Sequence, residues 1–323
     1  MIITDRNSKN FSYLSQLGIL IALIGAGMVI GSIVSVIIWI MMTGRPILAM
    51  ADDMLKPQYY NAVMAIQVVS TFFLFFLPVY FLALICYRKP AKFIGFNTNI
   101  NYKQVFIMLG ILILTFPLSG ALAELNKIIP IPTTWATKFK VMENSRAAQE
   151  AALININSFP RYIISLIVIG LLPGLFEEIC FRAGIQNIFT RWFKGPWIAI
   201  IITSIVFSLV HISYYGFLVR FALGVILGLV FYYSDNIWLS ALFHFLYNGL
   251  QVTALYAFTV SGAKDQKDIE ENFPLWAGVV ALVLIVYLFI EFKKTSSLQR
   301  AKVNDDDFPE NDFDFHKWPT AQS

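Results

Sequence analysis

From Leu17 to Met42 the chain carries no ionisable residue. A helix of roughly 20 apolar residues crosses a hydrocarbon core, and a signal-peptide core is only about 7–15 residues long, so this run reads as a retained membrane span. Comparable runs follow at about Ala62–Tyr87, Val105–Ala123, Tyr162–Trp192, Trp197–Ile212, Phe217–Tyr233, Ile237–Phe258 and Pro274–Phe292. The expectation is an all-α integral membrane protein of about eight transmembrane helices. Composition agrees: 58% of residues are hydrophobic and 14% charged, with a mean hydropathy of +0.67, where a soluble domain carries about a quarter charged residues. Gly25, Gly27 and Gly31 within the first run mark a face where another helix could approach closely.

Charge sets orientation and excludes one class of partner. The net charge is +4, and the Lys and Arg fall in loops instead of along one face, which is no nucleic-acid footprint. Arg88, Lys89, Lys92 and Lys103 crowd one loop; positive loops stay on the cytoplasmic side, so both termini are expected in the cytoplasm and the protein in the plasma membrane. Residues 1–161 read as N-terminal spans with an exterior connection, 162–258 as the core, and 259–292 as the last span. Residues 293–323, with Asp305, Asp306, Asp307, Glu310, Asp312 and Asp314, read as an acidic disordered tail. The connection from Glu124 to Arg161 contains a helix-compatible stretch, an extramembrane helix or alternatively an amphipathic lid over a site. Cys86 and Cys180 lie in or beside apolar spans at no redox or zinc spacing and read as small core side chains.

The stretch Leu-Pro-Gly-Leu-Phe-Glu-Glu-Ile-Cys-Phe-Arg at 172–182 sets two carboxylates and an arginine inside an apolar run. Ionisable side chains at membrane depth are costly and mark function. Glu178 and Arg182, four apart, share a helix face and neutralise each other; Glu177 lies about 100° round the axis without an obvious partner. Pro173 and Gly174 predict an interruption of the helix just before them. Two of the three histidines sit in apolar helices, His211 four residues after Phe207 and His244 four before Asn248. At about 1.5 Å per residue, Glu177 lies roughly 24 Å above the cytoplasmic edge and His211 roughly 21 Å. By the same rise His244 and Asn248 come out lower, at roughly 11 and 17 Å. Phe207 reads as core packing, and Arg220 as a side chain snorkelling to the outer interface.

A Glu and a His in a dry cavity can activate water, and a second His with an Asn suits a developing oxyanion, which together points to amide hydrolysis in an intramembrane catalytic cavity. The same groups would also suit zinc, with Glu177, His211 and His244 as ligands, although no His-Glu-x-x-His spacing is present.

These residues resemble three motifs of one family. Glu177-Glu178-Ile-Cys-Phe-Arg182 is similar to its EExxxR motif, Phe207-Ser-Leu-Val-His211 to FxxxH, and His244-Phe-Leu-Tyr-Asn248 to HxxxN. The family is that of the CPBP (Abi) intramembrane endopeptidases, also called type II CAAX prenyl endopeptidases. The resemblance implies cleavage of a membrane-associated, prenylated or otherwise lipidated peptide, as CAAX-type processing or bacteriocin maturation, with membrane lipid as the other partner. It assigns Glu177 and His211 to water activation, His244 and Asn248 to the oxyanion, and Glu178 with Arg182 to holding the site. It leaves open whether the enzyme is a zinc metalloendopeptidase or a metal-free glutamate protease. The alternatives are a non-catalytic immunity or scaffold protein of the same fold, and an ion-coupled transporter using the interrupted helix. No second interrupted helix or inverted repeat supports the transporter.

Overall fold

The computed structural model describes residues 8–97, 99–153, 156–261 and 273–304. The acidic stretch 305–323 and the charged loop 262–272 lie outside the described residues. Helix α1 (Tyr13–Thr43) begins at Ser12, whose hydroxyl accepts the Ser15 N–H at 3.1 Å, and ends where Gly44 turns left-handed at φ 66°. Helix α2 (Pro57–Cys86) contains a π-helical turn at Phe72–Phe76. Gly27 and Gly31 of α1 meet that turn: a Cβ on Gly27 would stand 2.1 Å from the Phe73 carbonyl oxygen. Gly25 has nothing within 4 Å, so the close-packing face excludes it, correcting the reading from sequence. Helix α3 (Tyr102–Ile128) starts from a capping box formed by Asn101 and Gln104. The connection that follows contains helix α4 (Thr133–Leu153).

Helix α5 (Phe159–Phe193) is the element on which the rest is assembled, packing against α2, α6 (Pro196–Leu209) and α8 (Ile237–Ser261). Helix α7 (Phe217–Ser234) packs between α6, α3 and α8, and the final helix α9 (Leu275–Asn304) lies along α3. All regular structure among the described residues is helical. The exposed side chains of α1 and α9 are as apolar as the interior, with Ile21, Ile33, Val279 and Val283 turned outward, as expected where lipid replaces water.

The expected interruption at Pro173 is absent: α5 runs unbroken for 35 residues. It does so by alternating geometry, α-helical at Phe159–Ser165, Leu172–Glu178 and Asn187–Phe193 and π-helical at Leu166–Leu171 and Ile179–Gln186. The N–H that proline lacks is the one an α-helix aims at the carbonyl four residues earlier, here Ile169. The widened turn leading into Pro173 makes room for the ring, and Asn248 Nδ2 donates to the Ile169 carbonyl at a long 3.5 Å. Gly170 and Gly174 serve packing: a Cβ on Gly174 would lie 2.8 Å from the Phe245 backbone nitrogen of α8. The Pro-Gly pair is thus a docking face for α8 within a continuous helix.

Among the described residues six helices are long and apolar enough to cross a bilayer: α1, α2, α3, α5, α7 and the first part of α9, Leu275–Leu298. Of the eight expected spans, α6 and α8 are not among these six. Helix α6 has 14 residues, about 21 Å at the α-helical rise, because the chain leaves the helix at Val210 and turns. Helix α8 has 25 residues but carries His244, Asn248 and Gln251 in what would be its apolar stretch.

Candidate active site

Glu178 is fully buried and saturated. Its Oε2 accepts Arg182 Nε at 3.0 Å, one helical turn along α5, and the Ser240 hydroxyl from α8; its Oε1 faces His244 Nδ1 at 3.1 Å. The i,i+4 pair read from sequence is present, but it is not self-contained: α8 supplies two more partners. Arg182, 0% exposed, extends the network to Gln186 Oε1 at 3.5 Å, and Gln186 Nε2 donates to the Gly228 carbonyl of α7 at 3.0 Å. Its guanidinium carbon also lies 5.5 Å from the centre of the Phe207 ring, a cation–π contact in a dry setting. A charge cluster at this depth is tolerable only because every member is bonded to another.

Glu177 sits on the next face of α5, buried, with Oε2 4.0 Å from His244 Nε2. His244 therefore stands between the two glutamates, one ring nitrogen on each. An ionised carboxylate only accepts hydrogen bonds, so the partner at Nδ1 fixes a proton there and leaves Nε2 facing Glu177. Depth counted at the α-helical rise set His244 well below Glu177. The π-helical segment at 179–186 removes only a small part of that difference, because wider turns advance less per residue; the 3.1 Å contact of His244 with Glu178 shows that the two helices are not counted from one level.

His211 is outside α6, in the turn that follows it; the sequence placed it within a span. Its Nδ1 bonds the Phe207 carbonyl at 2.7 Å, which sets the ring as a second-shell acceptor does. The next residue, Ile212, has φ 48°. A β-branched side chain in that region is an outlier of the kind held in place at functional sites. Phe207, read as core packing, is buried in the main core and also stands between the two histidines: its ring centre is 5.0 Å from His211 and 5.9 Å from His244. Helix α4 packs on this turn. Ser213 donates to Glu143 Oε2 at 2.8 Å, and Phe139 stacks on Tyr214 at 4.9 Å between ring centres.

Asn248 lies one turn beyond His244 on α8 and is partly buried, its Nδ2 on the Ile169 carbonyl. Arg220 is half-buried at the start of α7, beside Gly216 and within electrostatic reach of Glu177 and Tyr247. The snorkelling position read for it does not describe this setting. Ser240 was missed altogether; its signal was the spacing Ser240, His244, Asn248, one face of α8 at successive turns.

Among the described residues no three His, Cys, Asp or Glu side chains form a group able to ligate a metal. Glu177 and His244 make a two-donor pair; with His211 they do not assemble as a three-ligand zinc centre.

Residues 159–250 match the model of the type II CAAX prenyl endopeptidase Rce1-like family. No curated protein and no solved structure matches the chain. The matched segment covers α5 to the first half of α8, the elements that carry Glu177, Glu178, Arg182, His211, His244 and Asn248, and the match is to the family that the three motifs resemble.

Proposed function

We propose that the protein is an intramembrane endopeptidase, hydrolysing a peptide bond in a membrane-associated or lipidated peptide with water activated by Glu177. The observation that carries this reading is the Glu178–His244–Glu177 arrangement. A 4.0 Å separation between Glu177 Oε2 and His244 Nε2 is too long for a direct hydrogen bond and suits one bridging water. Glu177 takes a proton from that water as its oxygen attacks the scissile carbonyl, forming the C–O bond. The proton passes to the leaving nitrogen as the C–N bond breaks. Glu178, clamped by Arg182, holds the His244 ring with its proton on Nδ1, so that Nε2 accepts from the bridging water; His211 acts with Glu177 on that water, and the Asn248 amide donates to the oxyanion. No step requires a metal. The protein works in the plasma membrane with both termini in the cytoplasm, in keeping with the cations between α2 and α3.

The test is a lipidated fluorogenic peptide ending in a CAAX sequence, incubated with the purified protein in liposomes made up in H2-18O. The expected result is a product whose new carboxylate carries one 18O, lost in Glu177→Ala and in His211→Ala. Cleavage that persists in either variant overturns the mechanism, and no cleavage by the unmodified protein overturns the activity.

A further inference from the structure

Many hydroxyl groups inside the helices of this chain bond their own helix, while a few, such as Ser119 on Tyr247 and Ser165 on Tyr60, reach a side chain of another. Thr71, Thr115, Thr190, Ser204 and Thr253 each donate to the backbone carbonyl four residues earlier, at 2.7–2.8 Å. That is the default of a helical serine or threonine with nothing better to bond. Ser240, fully buried near the start of α8, belongs to the second group, and its partner is a buried carboxylate: its hydroxyl reaches across to Glu178 Oε2 of α5, and its other acceptor is the Leu227 carbonyl at 3.5 Å.

We propose that Ser240 is a positioning residue of the site, fixing the Glu178 carboxylate so that His244 presents Nε2 to Glu177. The proposal rests on the endopeptidase reading for its consequence in turnover, though not for its consequence in structure. Arg182 Nε and Ser240 Oγ both bond Oε2 of Glu178, while His244 Nδ1 is bonded by Oε1. With Arg182 alone on Oε2, the carboxylate can pivot about that single bond and carry Oε1 away from Nδ1. A second, charge-assisted donor from a different helix removes the pivot. Ser240 and His244 are four apart on α8, so the same helix face sets both the ring and the hydroxyl that fixes the ring's acceptor. The hydrogen bonds of the Ser240 hydroxyl go to Glu178 and the Leu227 carbonyl and not to Glu177, so its effect on the site passes through Glu178 and His244.

The experiment uses the full chain in liposomes with the same peptide and the variants Ser240→Ala and Ser240→Thr. Ser240→Ala is expected to lower kcat by about tenfold, at the lower end of what losing a second-shell orienting group does, with KM within about twofold of the parent, and Ser240→Thr to restore most of it. The 15N signals of His244, identified by their loss in His244→Ala, are read in parallel. They are expected to show a proton on Nδ1 in the parent and in Ser240→Thr, and a mixture of tautomers in Ser240→Ala. Unchanged kcat, or parent-like His244 signals in Ser240→Ala, overturns the proposal. If the parent cleaves no peptide, the endopeptidase reading fails and the ring signals alone decide for or against Ser240. If Ser240→Ala does not fold, Ser240→Cys, a weaker donor of similar shape, carries the same expectation.

Discussion

The two adjacent glutamates divide into a held carboxylate and a working one, and the division is set by partners. Glu178 is bonded by three donors from two helices; Glu177 has only the longer approach of His244. Truncating Glu178 leaves Arg182 charged and buried without its carboxylate. Glu178→Ala is therefore expected to destabilise the protein by about 3–5 kcal/mol, measured as the loss of its thermal transition in detergent; a variant as stable as the parent would contradict the pairing described. Sequence spacing identified the Glu178–Arg182 pair because an i,i+4 contact is local. It did not identify Ser240 or the central place of His244, which depend on how α5 and α8 meet. Outside the spans, the Asp53 carboxyl is held below its ordinary value by hydrogen bonds from Lys56 and Arg45. A carboxyl whose folded value is depressed contributes stability that is fully present above the unfolded value and is lost as pH falls through the folded one. The thermal transition should thus lose stability as pH falls below about 4, and Asp53→Asn should remove that part of the slope.

At the scale of the helix, sequence located the elements well and their interruptions poorly. Periodic apolar runs marked every long helix, but proline and glycine were read as breaks when they are contacts: Pro173 is absorbed by a π-helical turn and Gly174 admits the backbone of α8. The end of α6 was hidden because Val210 and Ile212 extend the apolar run past the point where the chain turns. The glycines of α1 give a direct check, since three candidates in one stretch have different surroundings. Gly27→Ala places a Cβ against the Phe73 carbonyl and is expected to lower stability by about 1–3 kcal/mol, as overpacking does. Gly25→Ala meets nothing and should hold or raise it, because alanine is the better helix former. Equal effects at the two positions would show that α1 and α2 do not meet as described.

For the molecule as a whole, the site is built where the membrane criterion is weakest. The short α6 and the polar α8 flank α5: α8 carries Ser240, His244 and Asn248, the turn after α6 carries His211, and α5, itself long and apolar enough to span, holds Glu177, Glu178 and Arg182 between them. Whether α3 and α6 each separate two faces of the membrane is open to labelling from one side with an impermeant maleimide, since the native Cys86 and Cys180 are buried. Lys92→Cys and Lys194→Cys should react from the cytoplasmic side, and Lys138→Cys and Ile212→Cys from the opposite side. Reaction of Lys194→Cys and Ile212→Cys from the same side would mean that α6 does not cross.

All of these features matter for function only if Glu177 does the chemistry, and one substitution isolates that question. Glu177→Gln keeps the shape of the side chain and removes its ability to take a proton. Because Glu177 makes no hydrogen bond as tight as those of Glu178, the variant should retain the parent's thermal transition. Turnover of the CAAX peptide should then fall by at least about a hundredfold, in line with loss of a positioned general base. A stable Glu177→Gln protein that cleaves at the parent's rate would contradict the mechanism.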